Sequence, residues 1–247
     1  MNRKQGYKDI ETETSYKNSK IYIQVILNIG LINPKNRILE KMLKKEYQIL
    51  KAFIEKPWKK FTFKEIKDYS KKKSESYVYN SLKKFVKESV LLEEKVGNSV
   101  LYFLNFSSPK TFIYAGFLAE YIAWHRKNIP YDDLKSIMSK IPTDFFIFII
   151  TGSYANNTQK KNSDIDVAIV CDDSFEPKKI YAELRHECML NIPPIHLYTF
   201  KRSEFLSMLL DTKANYGREI AKNNLILSGG KEYYKIVSEA IKHGFNG

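Results

Sequence analysis

The 247-residue chain is 43% hydrophobic and 28% charged, a composition typical of a soluble globular protein with room for two domains. Its two cysteines, Cys171 and Cys188, exclude a disulfide framework and favour a reducing compartment, so we expect a cytoplasmic protein. The longest apolar stretch, residues 21–32, is interrupted by polar residues, is too short to span a bilayer and lacks a signal-peptide cleavage site, so no membrane partner is expected.

Basic charge is concentrated in the first part of the chain, although the whole chain carries a net charge of +13. Residues 1–110 contain 24 Lys and Arg against 12 Asp and Glu, whereas residues 111–247 contain 17 against 16. A basic part joined to a neutral part indicates a nucleic-acid-binding module attached to a second activity. A lysine-rich surface that serves only solubility is the alternative.

The beginning of the chain is polar and mixed in charge. Residues 1–41 are predicted to form a tail or extension. Residues 1–20 are expected to be a mobile tail, and residues 21–32 could add a strand or a short amphipathic segment. The recognisable pattern starts directly after Met42, so translation could begin there instead of at Met1. The intact mass of the native protein distinguishes these two starts.

Three helices followed by a hairpin are predicted for residues 42–108. The second helix starts with a capping box, because Thr62 is followed three residues later by Glu65. The hairpin turns at Gly97-Asn98, a pair suited to a tight turn. The predicted helices cover residues 44–55, 63–69 and 76–88, and the predicted strands cover residues 91–96 and 100–104. This order resembles that of a winged helix-turn-helix domain.

The third of these helices carries polar and basic residues opposite its apolar side. In a winged helix this helix enters the major groove of DNA while lysines contact phosphates, so the resemblance implies a DNA partner, with residues 71–73 also able to reach phosphates. A domain for protein pairing or dimerisation, whose lysines only keep it soluble, is the alternative. The polar face is predicted to carry Tyr77, Asn80, Ser81, Lys84 and Lys87, and the candidate DNA-binding residues are Tyr77, Asn80, Lys84 and Lys87.

Residues 109–142 are predicted to connect two domains. Ser107-Ser108-Pro109 marks the boundary, and an aromatic, strongly apolar helix follows over residues 111–127. Pro130 breaks it, and a further helix is predicted over residues 131–140. The apolar helix could pack between the domains or against a second copy of the chain, so a homodimer is a possible assembly.

Two predicted strands flank the turn that holds the most distinctive residues of the chain. The first covers residues 145–150 and ends just before Gly152, where a tight turn into a short helix is expected, with N–H groups free for phosphate oxygens. The second covers residues 164–170. Because side chains alternate along a strand, Asp164 and Asp166 share one face. Paired carboxylates of this kind suit Mg²⁺ bound together with substrate phosphates, which indicates phosphoryl or nucleotidyl transfer.

Residues 152–166, with the sequence G-S-Y-A-N-N-T-Q-K-K-N-S-D-I-D, resemble the G-S-x-A-x-G-x(5)-S-D-x-D signature of the minimal nucleotidyltransferases in the DNA polymerase beta superfamily. The resemblance implies a nucleoside triphosphate substrate and a site for Mg²⁺, with two metal ions expected. It assigns nucleotide binding to Gly152, Ser153 and Ser163, and metal binding and catalysis to Asp164 and Asp166.

The chain departs from this family at two points. Asn157 stands where glycine is usual, and asparagine tolerates the left-handed conformation better than most residues. The third carboxylate of the family is expected on the strand at residues 195–200, which contains no acid; His196 and Tyr198 could occupy the relevant face. The resemblance therefore leaves open whether a bound nucleotide is turned over. Glu204 lies just past that strand, and Glu183 and Glu187 lie before it.

These patterns predict an α+β chain with an N-terminal winged helix-turn-helix and a C-terminal polymerase-beta-like nucleotidyltransferase domain, whose mixed sheet is flanked by helices. The predicted boundaries are 1–41 for the extension, 42–108 for the winged helix, 109–142 for the connecting helices and 143–247 for the transferase domain. Two functions fit. One is Mg²⁺-dependent transfer of a nucleoside monophosphate, with ATP as the expected donor, to an acceptor hydroxyl that could belong to a protein such as a partner toxin. The other is a DNA-binding transcriptional regulator whose transferase-like domain binds nucleotide without efficient turnover.

Overall fold

The structure is a computed structural model that describes residues 48–247. The predictions for the extension and its segment at residues 21–32, the choice between Met1 and Met42, and the first turn of the first predicted helix lie outside the described residues. Within residues 48–247, every helix is too short or too polar to cross a membrane.

The first part of the described chain is three helices and a small antiparallel sheet. The elements are α1 over residues 48–55, β1 (Phe61–Thr62), α2 (Phe63–Ser70), α3 (Glu75–Lys87), β2 (Leu91–Val96) and β3 (Ser99–Leu104). The capping box predicted for α2 is confirmed, since the Thr62 N–H donates to Glu65 Oε2 at 2.8 Å and the Glu65 N–H donates to Thr62 Oγ1 at 3.3 Å. The strand order is β1-β3-β2, and the predicted hairpin is present as β2 and β3.

The second part is built on a four-stranded sheet. Its elements are α4 (Pro109–Trp124), α5 (Tyr131–Ser139), β4 (Phe146–Thr151), α6 (Gly152–Asn156), β5 (Ile165–Cys171), α7 (Pro177–Leu190), β6 (Ile195–Lys201), α8 (Arg202–Leu210), α9 (Tyr216–Lys222), β7 (Leu225–Ser228) and α10 (Gly230–Lys242). The order is β6-β5-β4-β7, in which β5 pairs in parallel with β6 and β4 pairs antiparallel with both β5 and β7. The predicted α+β class with a mixed sheet flanked by helices is confirmed for this part.

The two central strands fix the frame of the candidate site. β4 and β5 are buried along almost their whole length, which explains why both read as nearly continuous apolar runs. Helices cover the sheet, and the core includes Leu134 of α5, Phe148 of β4, Val167 of β5 and Leu184 of α7. β4 and β5 are antiparallel, and Thr151 at the end of β4 pairs with Asp166 near the start of β5. The turn after β4 and the start of β5 therefore lie together at the same end of these two strands.

Helix α4 packs against the sheet and crosses α10 closely. The Trp124 Nε1 donates a hydrogen bond to the carbonyl of Leu227 in β7, at 2.9 Å. At the crossing, Gly116 lies against the backbone of Gly230 and Lys231. The predicted connecting helix is therefore part of the scaffold of the four-stranded sheet.

Replacing Gly116 with alanine is expected to destabilise the protein. A Cβ at this position would overlap the Lys231 backbone nitrogen and lie 2.8 Å from the Lys231 Cα, so α4 and α10 would have to separate. Overpacking of this kind costs about 1–3 kcal/mol, which thermal or denaturant unfolding measures. Ile113→Ala, at a position on the same helix that is 58% exposed, is the control and should change stability little. An equal effect of both substitutions would contradict a tight crossing at Gly116.

Candidate active site

The turn after β4 brings the glycine-serine pair against the aspartates. β4 ends at Thr151, and Gly152 follows with φ +64°, a left-handed conformation that favours glycine. A Cβ at Gly152 would overlap Asp166 Oδ2, so the missing side chain lets the turn approach the carboxylate. Helix α6 then ends at Asn156 and is capped by Asn157, which has φ 59° and ψ 36°. Asparagine therefore adopts here the left-handed conformation that was expected at the position where the family has glycine.

The two aspartates converge on a histidine of the neighbouring strand. The parallel register of β5 and β6 places Asp166 opposite His196. His196 Nε2 lies 3.3 Å from Asp164 Oδ2, and His196 Nδ1 lies 3.6 Å from Asp166 Oδ1. Both carboxylates thus face one imidazole, as the shared strand face predicts. The side chain of His196 is 55% exposed, that of Asp164 41% and that of Asp166 27%, so the group opens to solvent.

Burial dominates the electrostatics of the inner aspartate. It raises the pKa of Asp166 above its usual value, and the nearby Asp164 carboxylate raises it further, whereas His196 opposes both effects. A carboxylate that is desolvated beside a second carboxylate gains from a positive charge between them.

The place expected for a third carboxylate is taken by His196. Two of the other candidate acids, Glu187 and Glu204, are engaged elsewhere. Glu204 accepts a hydrogen bond from the Lys201 N–H at the start of α8, at 2.8 Å. Glu187 accepts one from Ser136 Oγ at 2.9 Å and pairs with Lys140, which directly follows α5. Across residues 48–247, the His, Cys, Asp and Glu side chains form no group of three with the arrangement of a metal centre. Asp164 and Asp166 still provide the hard oxygen ligands that suit Mg²⁺.

The two serines predicted to bind nucleotide lie on either side of the loop between α6 and β5. Ser153 is in the first turn of α6, and its carbonyl accepts a hydrogen bond from the Thr158 N–H at 2.9 Å. Ser163 Oγ accepts a hydrogen bond from the Lys160 N–H at 2.8 Å. Ser163 therefore stabilises the loop that leads to the aspartates. Nucleotide binding by both serines stays a prediction.

A tyrosine pair lies beside the aspartates, and sequence reasoning named Tyr198 but missed Tyr216. The ring of Tyr198 in β6 lies against that of Tyr216 in α9, with the centroids 4.3 Å apart and the planes tilted by 38°. Burial raises the pKa of the Tyr216 hydroxyl, and the neighbouring Tyr198 and Asp166 raise it further, so this hydroxyl stays protonated close to the site. Tyr216 is far from the aspartates in sequence, and only the packing of α9 brings it there.

The four candidate DNA-binding residues all lie on α3. Asn80 and Lys87 are exposed, whereas Tyr77 and Lys84 are half-buried. Ser81, predicted for the same polar face, is buried, so that prediction is wrong. Its position next to Leu82 shows that the packed side of α3 is wider than its apolar stripe. The polar face is therefore narrower than predicted.

Comparison with known families agrees with this geometry. Residues 131–227 match the family model of the nucleotidyltransferase domain. The matched range runs from α5 into β7 and contains the Gly152 turn, the aspartate pair and all four strands of the larger sheet, at least in part. Neither the curated proteins nor the solved structures gave a significant match. The family model therefore supports the prediction of a nucleotidyltransferase domain for this part of the chain.

Proposed function

We propose that the protein is a metal-dependent nucleotidyltransferase that moves a nucleoside monophosphate from a nucleoside triphosphate, with ATP as the first candidate, to an acceptor hydroxyl. The observation that carries this proposal is the convergence of Asp164 and Asp166 beside the Gly152 turn, inside the segment that matches the nucleotidyltransferase domain. Paired carboxylates next to a glycine turn provide a place for metal-bound phosphates.

Asp164 and Asp166 would hold the metal, with Mg²⁺ as the expected ion and two ions as the family pattern implies. A bound metal ion supplies neutralisation of phosphate charge and activation of an attacking oxygen. The protein's own residues position the carboxylates. Gly152 leaves room for the Asp166 carboxylate. Asp164 directly precedes β5 and Asp166 lies within it, so the start of this strand brings both carboxylates to the imidazole of His196. His196 lies close enough to both to orient them, and a cation between the carboxylates would compete with its imidazole.

The openness of the site favours a large acceptor. The side chains of Asp164 and His196 are 41% and 55% exposed, so a hydroxyl on the surface of another macromolecule can reach them without a channel. We therefore favour a protein acceptor, such as the toxin partner implied by the family resemblance, over a small molecule that would need an enclosing pocket.

The direct test is transfer of label. Purified protein is incubated with ATP labelled in the α-phosphate, alone and with an extract of the source cells. Each mixture contains Mg²⁺ or Mn²⁺, because carboxylate oxygens suit both ions. We expect label in an acceptor that withstands denaturation, and its loss with a chelator. The other three triphosphates, labelled in the same way, show the base preference. Absence of label from all four would contradict the proposal.

We propose DNA-binding regulation as the second candidate. Supporting it are the order of α1, α2, α3 and the β2-β3 hairpin, which is that of a winged helix-turn-helix, and the basic excess of residues 1–110. In this proposal residues 42–108 form the DNA-binding domain, 109–142 connect it and 143–247 form the transferase domain. Tight, salt-sensitive DNA binding without any transfer of label would favour this function over the first.

Replacing Lys84 and Lys87 together by alanine is expected to weaken DNA binding and flatten its salt dependence. Each phosphate contact contributes roughly 0.9 to the slope of log K against log salt, so two lost contacts would reduce it by about 2. Fluorescence anisotropy with duplex DNA at several salt concentrations measures both changes. Lys83→Ala is the matched control on the same helix, because Lys83 is held by Glu93 at 2.8 Å. An unchanged slope in the double variant would exclude α3 as the DNA contact.

A further inference from the structure

A cavity of about 280 Å³ lies at the β7 side of α6. Its wall is formed by the end of α1, the second half of α4, the end of α6 and the residues that lead from α9 into β7. Asp164, Asp166 and His196 do not line it. The cavity is therefore separate from the site proposed for the metal and the triphosphate.

The charged side chains that line this cavity are mostly basic. Lys56, Arg126 and Lys222 line it together with one acid, Glu55. Glu55 pairs with Lys51, at 3.4 Å, whereas the three lining cations have no carboxylate within 4 Å among the described residues. Unpaired cations gathered around a concave surface attract an anion.

Arg126 is the strongest indication of a ligand. Its Nη2 donates a hydrogen bond to the Ala155 carbonyl at 3.1 Å, which anchors the guanidinium at the end of α6. Its Nε is buried and has no hydrogen-bond partner within residues 48–247. A buried charged donor without an acceptor is costly, and a bound anion would satisfy it. Arginine presents a planar fork that matches phosphate, and lysine adds a mobile positive charge.

We propose that this cavity binds the phosphate group of a small phosphorylated molecule, with Arg126 and Lys222 as its main contacts. The volume suits a phosphate with a group of about the size of a sugar. The Thr151 hydroxyl donates a hydrogen bond to the Asn223 carbonyl at 2.8 Å, and Thr151 directly precedes the Gly152 turn. The cavity wall is therefore joined to the candidate active site, although the proposal does not depend on transferase activity.

Calorimetric titration of the full chain in the presence of a chelator tests this inference, because the chelator removes any metal-dependent binding at the aspartates. Inorganic phosphate and AMP are the two probes. We expect one binding event per chain, weakened roughly tenfold or more in Arg126→Gln and in Lys222→Ala, since each loses a charge-assisted contact. Tighter binding of AMP would identify a nucleotide as the source of the phosphate, and equal binding would identify free phosphate.

Three control measurements make the outcome decisive. The Lys222 side chain forms no ion pair in the described part of the chain. The Lys222→Ala variant should therefore fold even if the Arg126→Gln variant does not. Thermal unfolding shows whether each of the two variants is folded. Lys242→Ala, which removes an exposed lysine from the last turn of α10, should bind both probes like the wild type. The double variant Asp164→Asn, Asp166→Asn should also bind them unchanged. No binding of either probe at millimolar concentration, or loss of binding only in the aspartate variant, would overturn the proposal.

Discussion

Asp166→Asn is expected to lower the transfer of label by about a thousandfold or more, while the protein stays folded. Asparagine has the shape of aspartate but lacks its negative charge, so the proposed metal site loses a ligand worth several kcal/mol in the transition state. Asp166 is the less exposed member of the pair and lies against Gly152, which gives it the more central position. The rate of label transfer under saturating nucleotide measures the effect.

The Asp166→Asn substitution should lower activity without lowering the stability of the protein. The Asp166 carboxylate is partly desolvated and stands beside Asp164, so the neutral amide removes a repulsion between like charges. We therefore expect an unfolding temperature no lower than that of the wild type. Asp132→Asn, at an exposed carboxylate on α5, is the matched control and should retain transfer. Full transfer by Asp166→Asn would show that the aspartate pair does not carry the reaction.

The local geometry of the site follows from the sequence alone. Two apolar runs with a glycine-serine turn between them predict two buried strands, and the two-residue period of a strand puts Asp164 and Asp166 on one face. Both features are present in β4, β5 and the turn at Gly152. These features depend on residues close together in the chain, where periodicity and turn chemistry decide the structure.

The parts that were not predicted depend on residues distant in sequence. β7 is only four residues long, and its place beside β4 follows from tertiary pairing that no short pattern specifies. The strand of His196 was predicted, but the contact of its imidazole with both carboxylates depends on the parallel register with β5. Tyr216 reaches the site through the packing of α9, and Arg126 reaches the cavity from the turn that follows α4. Hydrophobic periodicity predicts neither contact.

Gly152→Ala is expected to abolish most of the transfer activity and to destabilise the protein. At φ +64° an alanine is strained, at a cost of about 1–2 kcal/mol, and its Cβ would overlap Asp166 Oδ2. The carboxylate must then move, and a displacement of about 1 Å in a catalytic constellation can reduce the rate about a hundredfold. Label transfer and thermal unfolding, measured on the same preparation, give the two effects.

Gly97→Ala separates the steric effect from the backbone strain. Gly97 has nearly the same conformation, with φ +58°, but nothing lies within 4 Å of a Cβ built there. It belongs to the β2-β3 hairpin, so its alanine variant should lose a similar amount of stability and keep its transfer activity. If both variants lose activity equally, backbone strain and not displacement of Asp166 is the cause. If Gly152→Ala keeps full activity, the close approach of the turn to Asp166 has no part in the reaction, because the carboxylate can then work from a displaced position.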